Sequence, residues 1–600
     1  MRDWWAVALA LATAVGALAS RPVPLWAGAG VALVALAAKR PLLLCVGAAL
    51  LASCLGARSW AGLDDPPVGP LDDVVTRVSD PTPVEAALRV DVRYRHRRLE
   101  AWARGEAAAS LRPLAAGELV LLRGRVGPVP PEARARLAVR HVAGRLSITH
   151  VGAHRSGNLP SSVANGLRRT LTKGAASLPR DERALFTGLV LGDDRDQSPE
   201  MADDFRTAGL SHLTAVSGQN VAFVLAAAWP VLRLLKLRAR FVAGLAVLAL
   251  FGVMTRWEPS VLRAETMAAV GLFAWTIGRP ASTLRLVALA VAGLLLVDPL
   301  LVRSIGFLLS VGACAGIAIL AVPLARRIPG PRPLAAALAV TLAAQVGVAP
   351  VLAPVFGGVP VAAVPANLLA AAAAGPVMTW GMTAGLVAGV VPARVAAAIH
   401  APTHLLVAWI AGVAHWAADL PLSNLSLWGV ALAGALIMAC VEPRLRVAAG
   451  VALSLLALLP LWVATRPVDG VVLGGGPRLW RAHGATVVVA DGSARADDVL
   501  AGLRSAGVRR IDAVVMERGS PAARALDPVL DRFPPRTVLS APGTVARVGP
   551  FTVTVHDHGR ATVAACPGGV GRCDGHLTRR PPPEGRRPHS AGRRAAHPRR

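Results

Sequence analysis

The sequence predicts a polytopic α-helical membrane protein with an extracytoplasmic β-barrel domain near its N-terminus and an α/β domain at its C-terminus. Three observations carry that prediction. Hydrophobic residues make up 54% of the 600-residue chain against 17% charged, mean hydropathy is +0.51, and the apolar residues come in long runs separated by short basic clusters. From about 61 to 206 the runs give way to short segments cut by Gly and Pro. After Thr465 a strand, helix, strand pattern takes over.

Residues 1–60 hold three apolar segments, Trp4 to Leu18, Val23 to Ala38 and Pro41 to Ala57, each near the lower length limit for a spanning helix. The first has Arg2 before it and "ALAS" at its end, features of a cleaved signal peptide. Its "RP" exit leads straight into the next apolar run, which favours a retained span. In residues 61–160, "EAALRVDVRYRHRRLEAW", "GELVLLRGRVG" and "ARLAVRHVAGRLSITHVG" read as the strands of a small β-barrel domain. Arg89, Asp91, Arg93, Arg95 and Arg97 alternate with Val90, Val92, Tyr94 and His96, so a period of two places the arginines on one face. With Tyr94 and Trp102 nearby, Arg93, Arg95 and Arg97 form a candidate surface for single-stranded nucleic acid, held by backbone charge and base stacking. The alternative is an ordinary solvated strand face.

Residues 161–206 read as a helical connector, and 207–465 as a membrane domain of roughly ten further apolar segments. Orientation follows from the basic loops. If Lys39 and Arg40 are cytoplasmic, the N-terminus is inside and the β-domain outside. The strong cluster from Arg233 to Arg240 then falls inside, as do Arg279, Arg285, Arg326 and Arg327. Four crossings between Pro333 and Cys440, with Pro360 to Val391 as one span containing a re-entrant or broken piece, also put Arg394, Arg444 and Arg446 inside. Val447 to Val463 then sends the C-terminus out. Residues 466–560 read as the α/β domain, with a helix beginning near Ala494. The Arg-, Pro- and His-rich stretch 561–600 has too little apolar surface to fold. It is either a disordered polyanion-binding arm or an accidental extension of the reading frame.

The six cysteines form no CxxC pair, so neither a disulfide framework nor a zinc site is indicated. Cys566 and Cys573 alone leave a pairing open outside the cytoplasm. A net charge of +28 makes polyanions natural partners, nucleic acid or anionic headgroups alike. No GxxxxGK[ST] phosphate loop is present.

Two polar interruptions stand out within the apolar runs. Ser217, Gly218, Gln219 and Asn220 break "LTAVSGQNVAFVLAAAW". Small and polar residues there either glue neighbouring helices or line a wet path, with Gly218 opening the backbone toward it. In "TRWEPSVLRAETMAAVGLFAW", Arg256, Glu258, Arg263 and Glu265 enter or precede a helix started by Pro259. Arg263 and Glu265 are two apart and cannot pair on one face. Each needs another partner or a polyanionic passenger, unless the charges snorkel from an interfacial loop.

"GLSHLTAVSGQNVAFV", "EPSVLRAETMA", "DPLLVRSIGFLLSVGACAGIAIL" and the upstream "ALFTGLVLGDDR", with Gly192, Asp193 and Arg195, together resemble the ComEC family of competence proteins over most of Ala184 to Leu320. The resemblance implies three early helices, an OB-like β-domain, a multi-helix channel domain and a metallo-β-lactamase-like domain. It also implies passage of single-stranded DNA across the cytoplasmic membrane during transformation, with His212, Ser217, Gly218, Gln219, Asn220, Arg256 and Arg263 along the DNA pathway. Implied partners are single-stranded DNA, the lipid bilayer, a DNA receptor and a cytoplasmic ATPase, with oligomerisation open. The C-terminal domain departs from the pattern: the strand Arg510 to Val515 leads into Met516, Glu517, Arg518, Gly519 and Ser520, with no histidine between His483 and His556. Asp491 and Gly492 keep a family-like turn, but one carboxylate does not hold a hydrolytic metal. The expectation is therefore a degenerate, metal-free domain and a channel without cofactor or catalytic residues. Two rivals are a small-molecule permease and a membrane-anchored metallo-hydrolase.

The basic-loop argument places residues 61–206 and 466–600 outside the cytoplasm. In a background lacking the native cysteines, Ser110→Cys and Ser520→Cys are both expected to react with an impermeant thiol reagent on intact cells. Protection of either site overturns the arrangement.

Overall fold

A computed structural model describes residues 3–84, 87–214, 218–276, 278, 282–356, 358–420, 424–439, 444, 447–452, 454–456, 467–473, 476–490, 499–500, 502–503, 506, 508, 510–516, 527–556 and 560–565. The chain divides into two units. The first comprises Met1–Thr465 with Ala496–Arg509 and Pro528–Arg532; the second comprises Arg466–Arg495, Arg510–Asp527 and Phe533–Arg600.

The first unit opens with α1 (Asp3–Ala19), α2 (Leu25–Ala37) and α3 (Pro41–Ala61), as the apolar runs predict. The β-domain follows: β1 (Gly69–Arg77), β2 (Thr82–Val84), β3 (Ala87–Tyr94), β4 (Arg97–Arg104), α4 (Gly105–Leu111), β5 (Leu119–Gly127), α5 (Pro131–Ala138) and β6 (Val142–Arg155). β1 pairs with β5 and, through Thr76 and Arg77, with β3. The pairings therefore run in a ring, β1-β5-β6-β4-β3-β1, antiparallel except for β4 against β6. Val90, Val92, Leu99, Ala101, Val120, Leu122 and Leu146 fill its interior, on the period-two positions that face inward.

Two sequence expectations change here. Arg89 to Arg97 is not one strand: β3 ends at Tyr94 and the chain reverses at Arg95 and His96, with Arg95 at φ 53°. The five alternating residues thus divide between two antiparallel strands and a turn. Likewise Ala135 to Ala138, expected in a strand, closes α5, which Pro131 starts at a position where its missing N–H costs nothing.

The connector is α6 (Leu159–Gly174), α7 (Arg180–Leu191) and α8 (Pro199–Thr207), which lead to the single turn α9 (Ser211–Thr214). Then come α10 (Gly218–Leu232), α11 (Leu237–Met254), α12 (Pro259–Thr276), α13 (Thr283–Val297), α14 (Ile305–Ala325), α15 (Arg332–Phe356), α16 (Ala363–Ala388), α17 (Ala393–Asp419) and α18 (Leu427–Ala439). Among the described residues six helices, α3, α11, α14, α15, α16 and α17, are long and apolar enough to cross a membrane. Pro360 to Val391, expected to be one span with a re-entrant or broken piece, instead holds one continuous helix, α16, that runs through Pro376. The two-residue strands β7 (Val359–Pro360) and β8 (Asn424–Leu425) pair beside these helices. Close helix contact is set by small residues: a Cβ added at Gly347 would lie 2.2 Å from the Gly312 carbonyl oxygen, so α14 and α15 meet backbone to backbone.

α11 fixes which loops share an end. Arg240, near its start, lies 5.5 Å from the Trp229 ring centroid and 5.7 Å from that of Trp275. Its Nε donates to the Leu232 carbonyl at 3.1 Å. The last turn of α10, the first of α11 and the last of α12 therefore lie together. Arg285 in the first turn of α13 pairs with Asp3 of α1 at 2.7 Å.

The second unit holds β9 (Val468–Val472), β10 (Arg478–Ala482), β11 (Ala485–Ala490), β12 (Ala513–Met516) and β13 (Thr537–Leu539) in the order β13-β12-β11-β10-β9. β11, β12 and β13 run parallel, as an α/β pattern requires. β14 (Val545–Val548), β15 (Phe551–Val555) and β16 (Ala561–Ala565) form an antiparallel sheet whose Phe551, Val553 and Val555 share a core with Val487, Val489 and Val515. β16 occupies residues that the sequence places in the basic tail; 566–600 lie outside the described residues, as do Ala494, Asp491, Gly492 and Glu517 to Ser520.

Candidate functional site

A buried ionic cluster joins the β-domain to the helices. Asp80, in the loop after β1, accepts both arms of the Arg256 guanidinium at 3.0 Å and Nη2 of Arg168 at 3.2 Å. Arg168 on α6 also bonds the Asp193 carboxylate at 3.0 Å and, through Nη1, the carbonyls of Leu191 at 3.1 Å and Met254 at 2.8 Å. Those carbonyls end α7 and α11, where four acceptors per helix lack intrahelical donors and the dipole is negative. One guanidinium thus closes two helices and bridges two carboxylates.

Local sequence explains the placement. Gly192 ends α7 at φ 67° with its N–H on the Gly188 carbonyl, a left-handed cap that suits glycine. That turn brings Asp193 back to Arg168 and to Arg195, whose Nε donates at 2.6 Å. Arg195 also reaches the Pro81 carbonyl at 3.3 Å. Arg256 and Trp257 hold the α11–α12 turn at φ 62° and 57°, a conformation that costs of order 1 kcal/mol per non-glycine residue. The Trp257 N–H on the Gly252 carbonyl at 2.8 Å closes this turn, and the two bonds that Arg256 donates to Asp80 tie it to the β-domain.

Burial by itself raises the Asp80 carboxyl, but Arg256 and Arg168 outweigh it and hold the group well below the ordinary carboxylate range. Asp193 is lowered in the same way, Arg195 overcoming burial. Arg77, at the end of β1, is 1% exposed, and its three side-chain nitrogens bond no described residue. Burial draws it down to about 10 although Asp80 and Glu118 favour its charge.

From this cluster α12 runs inward to Arg263. That residue is 3% exposed. Its Nε donates to Ser310 Oγ at 2.8 Å, and Nη1 to Met267 Sδ and Cys314 Sγ, both at 3.1 Å. Ser310 and Cys314 are four apart on α14 and so share a face. A Cβ added at Gly218 would lie 3.3 Å from Arg263 Nη2, which puts the guanidinium against the start of α10. Glu265 goes elsewhere: a Cβ at Gly252 would meet its Oε2 at 2.8 Å and the Trp257 ring at 2.5 Å. The two charges part, as their spacing requires.

Gly218 and Arg263 come together, Gln219 beside them is exposed, and Asn220 is buried with Nδ2 on the Leu189 carbonyl at 3.1 Å. Ser217 lies outside the described residues. His212 is exposed on α9 with Nδ1 at 3.2 Å from the Gly209 oxygen. Arg256 belongs to the Asp80 cluster and not to the Arg263 group.

On the β-domain, Arg93 is exposed, Arg95 sits over the half-buried Tyr94 ring at 5.2 Å, and Arg97 donates to the Asp64 carbonyl at 2.8 Å. Trp102 is half-buried and donates to Glu100 at 3.0 Å. Asp91 and Glu100 face each other across β3 and β4, both buried, a like-charged pairing offset by Arg140, which bonds both, and by Arg145, 3.3 Å from Glu100. This face is therefore a mixed ionic surface, not a row of free arginines. Asp80, Arg168, Arg77 and the Ser310–Cys314 pair carry no local signature in the sequence. Among the described residues no three His, Cys, Asp or Glu converge as a metal site.

Residues 189–447 match the family model described as Competence protein. The match covers α10 to α18 together with Asp193, Arg195, Arg256 and Arg263. No curated protein and no solved structure matches the chain.

Asp80→Asn leaves Arg256 and Arg168 with an uncharged partner, so a loss of about 3–5 kcal/mol is expected. The Asp80 and Asp193 carboxyls are lowered by folding, so their contribution is full above the ordinary aspartate value near 3.9 and fades as pH falls below it. Thermal melts of the detergent-solubilised chain below about pH 4 are expected to show a steeper acid loss for the wild type than for Asp80→Asn.

Proposed function

We propose that the chain is a multi-pass channel of the cytoplasmic membrane that carries single-stranded DNA inward during natural transformation. The observation that carries this reading is the polar opening of α10 at Gly218 and Gln219 beside the buried Arg263, within the segment that matches the Competence protein family. A buried arginine and an exposed amide at the start of an apolar helix are costly in lipid and reasonable along a wet, anionic path.

The β-domain fits this role as an OB-like module. Its ring of pairings, with one parallel contact between β4 and β6 and a helix between β4 and β5, has the connectivity of a five-stranded Greek-key barrel, a fold that binds oligonucleotides on one face. Arg93 and Arg95 with Tyr94 are the part of its surface best suited to a first contact with DNA. Arg233, Lys236 and Arg238 lie at one end of α11 and the Asp80 cluster at the other. Assigning the basic end to the cytoplasm puts the β-domain outside, facing incoming DNA. The second unit is read as a metallo-β-lactamase-like remnant. Strand hydrolysis and the energy for movement are assigned to partner proteins, a DNA receptor and a cytoplasmic ATPase among them.

The two amides of α10 separate transport from packing. Gln219→Leu is expected to leave membrane abundance unchanged and to abolish DNA uptake in a transformable host. Asn220→Leu removes the bond to Leu189, worth about 0.6 kcal/mol, and is expected to lower abundance first. Normal uptake by Gln219→Leu at normal abundance contradicts the channel path drawn here.

A further inference from the structure

We propose that Arg77 binds one small monovalent anion, of chloride size, in the seam between the β-domain and the helices. The inference is independent of the uptake reading.

Arg77 ends β1 where the ring of strands closes, Thr76 and Arg77 pairing with Arg93 and Val92 of β3. By the period of two it continues the inward row of Leu71 and Val75, themselves 4% and 1% exposed. Its backbone is held on both sides: the N–H donates to the Glu118 carbonyl at 3.0 Å, and the carbonyl accepts from Gly117 at 2.8 Å. The guanidinium is thereby sealed inside, on a residue that is 1% exposed.

The carboxylates around it are committed elsewhere. Asp80 accepts two donors on each oxygen, Arg256 Nη2 and the Ala116 N–H on Oδ1, Arg256 Nε and Arg168 Nη2 on Oδ2. That fills the acceptor positions of a carboxylate. Asp193 is shared by Arg168 and Arg195, and Glu118 takes the Ala115 N–H at 3.1 Å. Asp194 and Asp196, beside Arg195, are exposed. The hairpin end at Val84 and Ala87 stands five positions along β3 from Val92, roughly 16 Å away. Nε, Nη1 and Nη2 of Arg77 therefore bond no described residue, and Arg195 and Arg256 add repulsion. Burial draws the group down only to about 10, so it keeps its charge at neutral pH.

The charge decides between the possible occupants. Water would satisfy the N–H groups and leave a buried cation uncompensated, whereas an anion answers both needs. So enclosed a place selects a small ion that sheds its hydration at modest cost; a sulfate or phosphate dianion is larger and harder to desolvate. Chloride fits. Bound there, it lets the guanidiniums of Arg77, Arg168, Arg195 and Arg256 share one seam with the carboxylates of Asp80, Asp193 and Glu118.

The test uses the purified full-length chain in detergent, with chloride exchanged for gluconate at constant ionic strength. The thermal midpoint of the wild type is expected to rise with the logarithm of chloride concentration. That of Arg77→Met, which keeps the bulk and removes the charge, is expected to stay level. Equilibrium dialysis of the wild type against radiolabelled chloride is expected to retain about one ion per chain, displaced by bromide and not by gluconate. Dialysis needs no variant, so it decides the matter even where Arg77→Met does not fold. A midpoint indifferent to chloride, or a chain that retains no ion, leaves water as the occupant and overturns the site. A chloride response that persists in Arg77→Met places the ion elsewhere and overturns it as well.

Discussion

The carboxylate of Asp80 is the constraint on which the first unit depends. It sits in a loop of the β-domain, yet its hydrogen bonds go to α6 and to the α11–α12 turn. Removing a buried carboxylate from water is unfavourable, and only the two guanidiniums around it offset that cost. Their positions are in turn set by helix ends: Arg168 closes α7 and α11, and Arg256 lies in a turn of disfavoured backbone conformation. Asn165 on α6, bonding the Ala116 carbonyl, and His141, pairing with Asp298, add further ties between the β-domain and the helices. The β-domain is therefore part of the helical body and not a tethered module.

That arrangement has a consequence for the inner group. The turn tied to Asp80 is the start of α12, and α12 carries Arg263 to the first turn of α10. One rigid helix, with Arg263 four residues past Pro259, links the ionic cluster to the polar opening at Gly218 and Gln219. The position of Arg263 therefore depends on a carboxylate in the β-domain. The cost of burying Arg263 among neutral acceptors is a reason to look for function there, since a packing role is met more cheaply by an apolar side chain.

Much of the helical architecture was legible in the sequence, because long apolar runs, such as those that become α1 and α3, leave few alternatives to a helix. The β-domain was legible as a domain but not in register. Arg95 and His96 reverse the chain without Gly, Asn or Pro, so period-two alternation ran through a turn that had no turn signal. Ala135 to Ala138 alternates like a strand but follows Pro131, and the helix start prevailed. In the candidate site, the separation of Arg263 from Glu265 followed from helical spacing alone. The Asp80 cluster did not, because its partners stand 88 and 176 residues away and no local pattern links them. Asn220 illustrates the same limit: adjacent amides read alike in sequence, and only the position of α7 makes one of them a packing bond.

The central claim is that Asp80 and Arg256 act as one unit joining the β-domain to the helices. A double-mutant cycle over Asp80→Asn and Arg256→Gln, read as unfolding stability of the solubilised full-length chain, measures it directly. The account predicts that the double variant is less destabilised than the sum of the singles, by a coupling of about 0.5–3 kcal/mol. Single effects that add to within about 0.5 kcal/mol would contradict it.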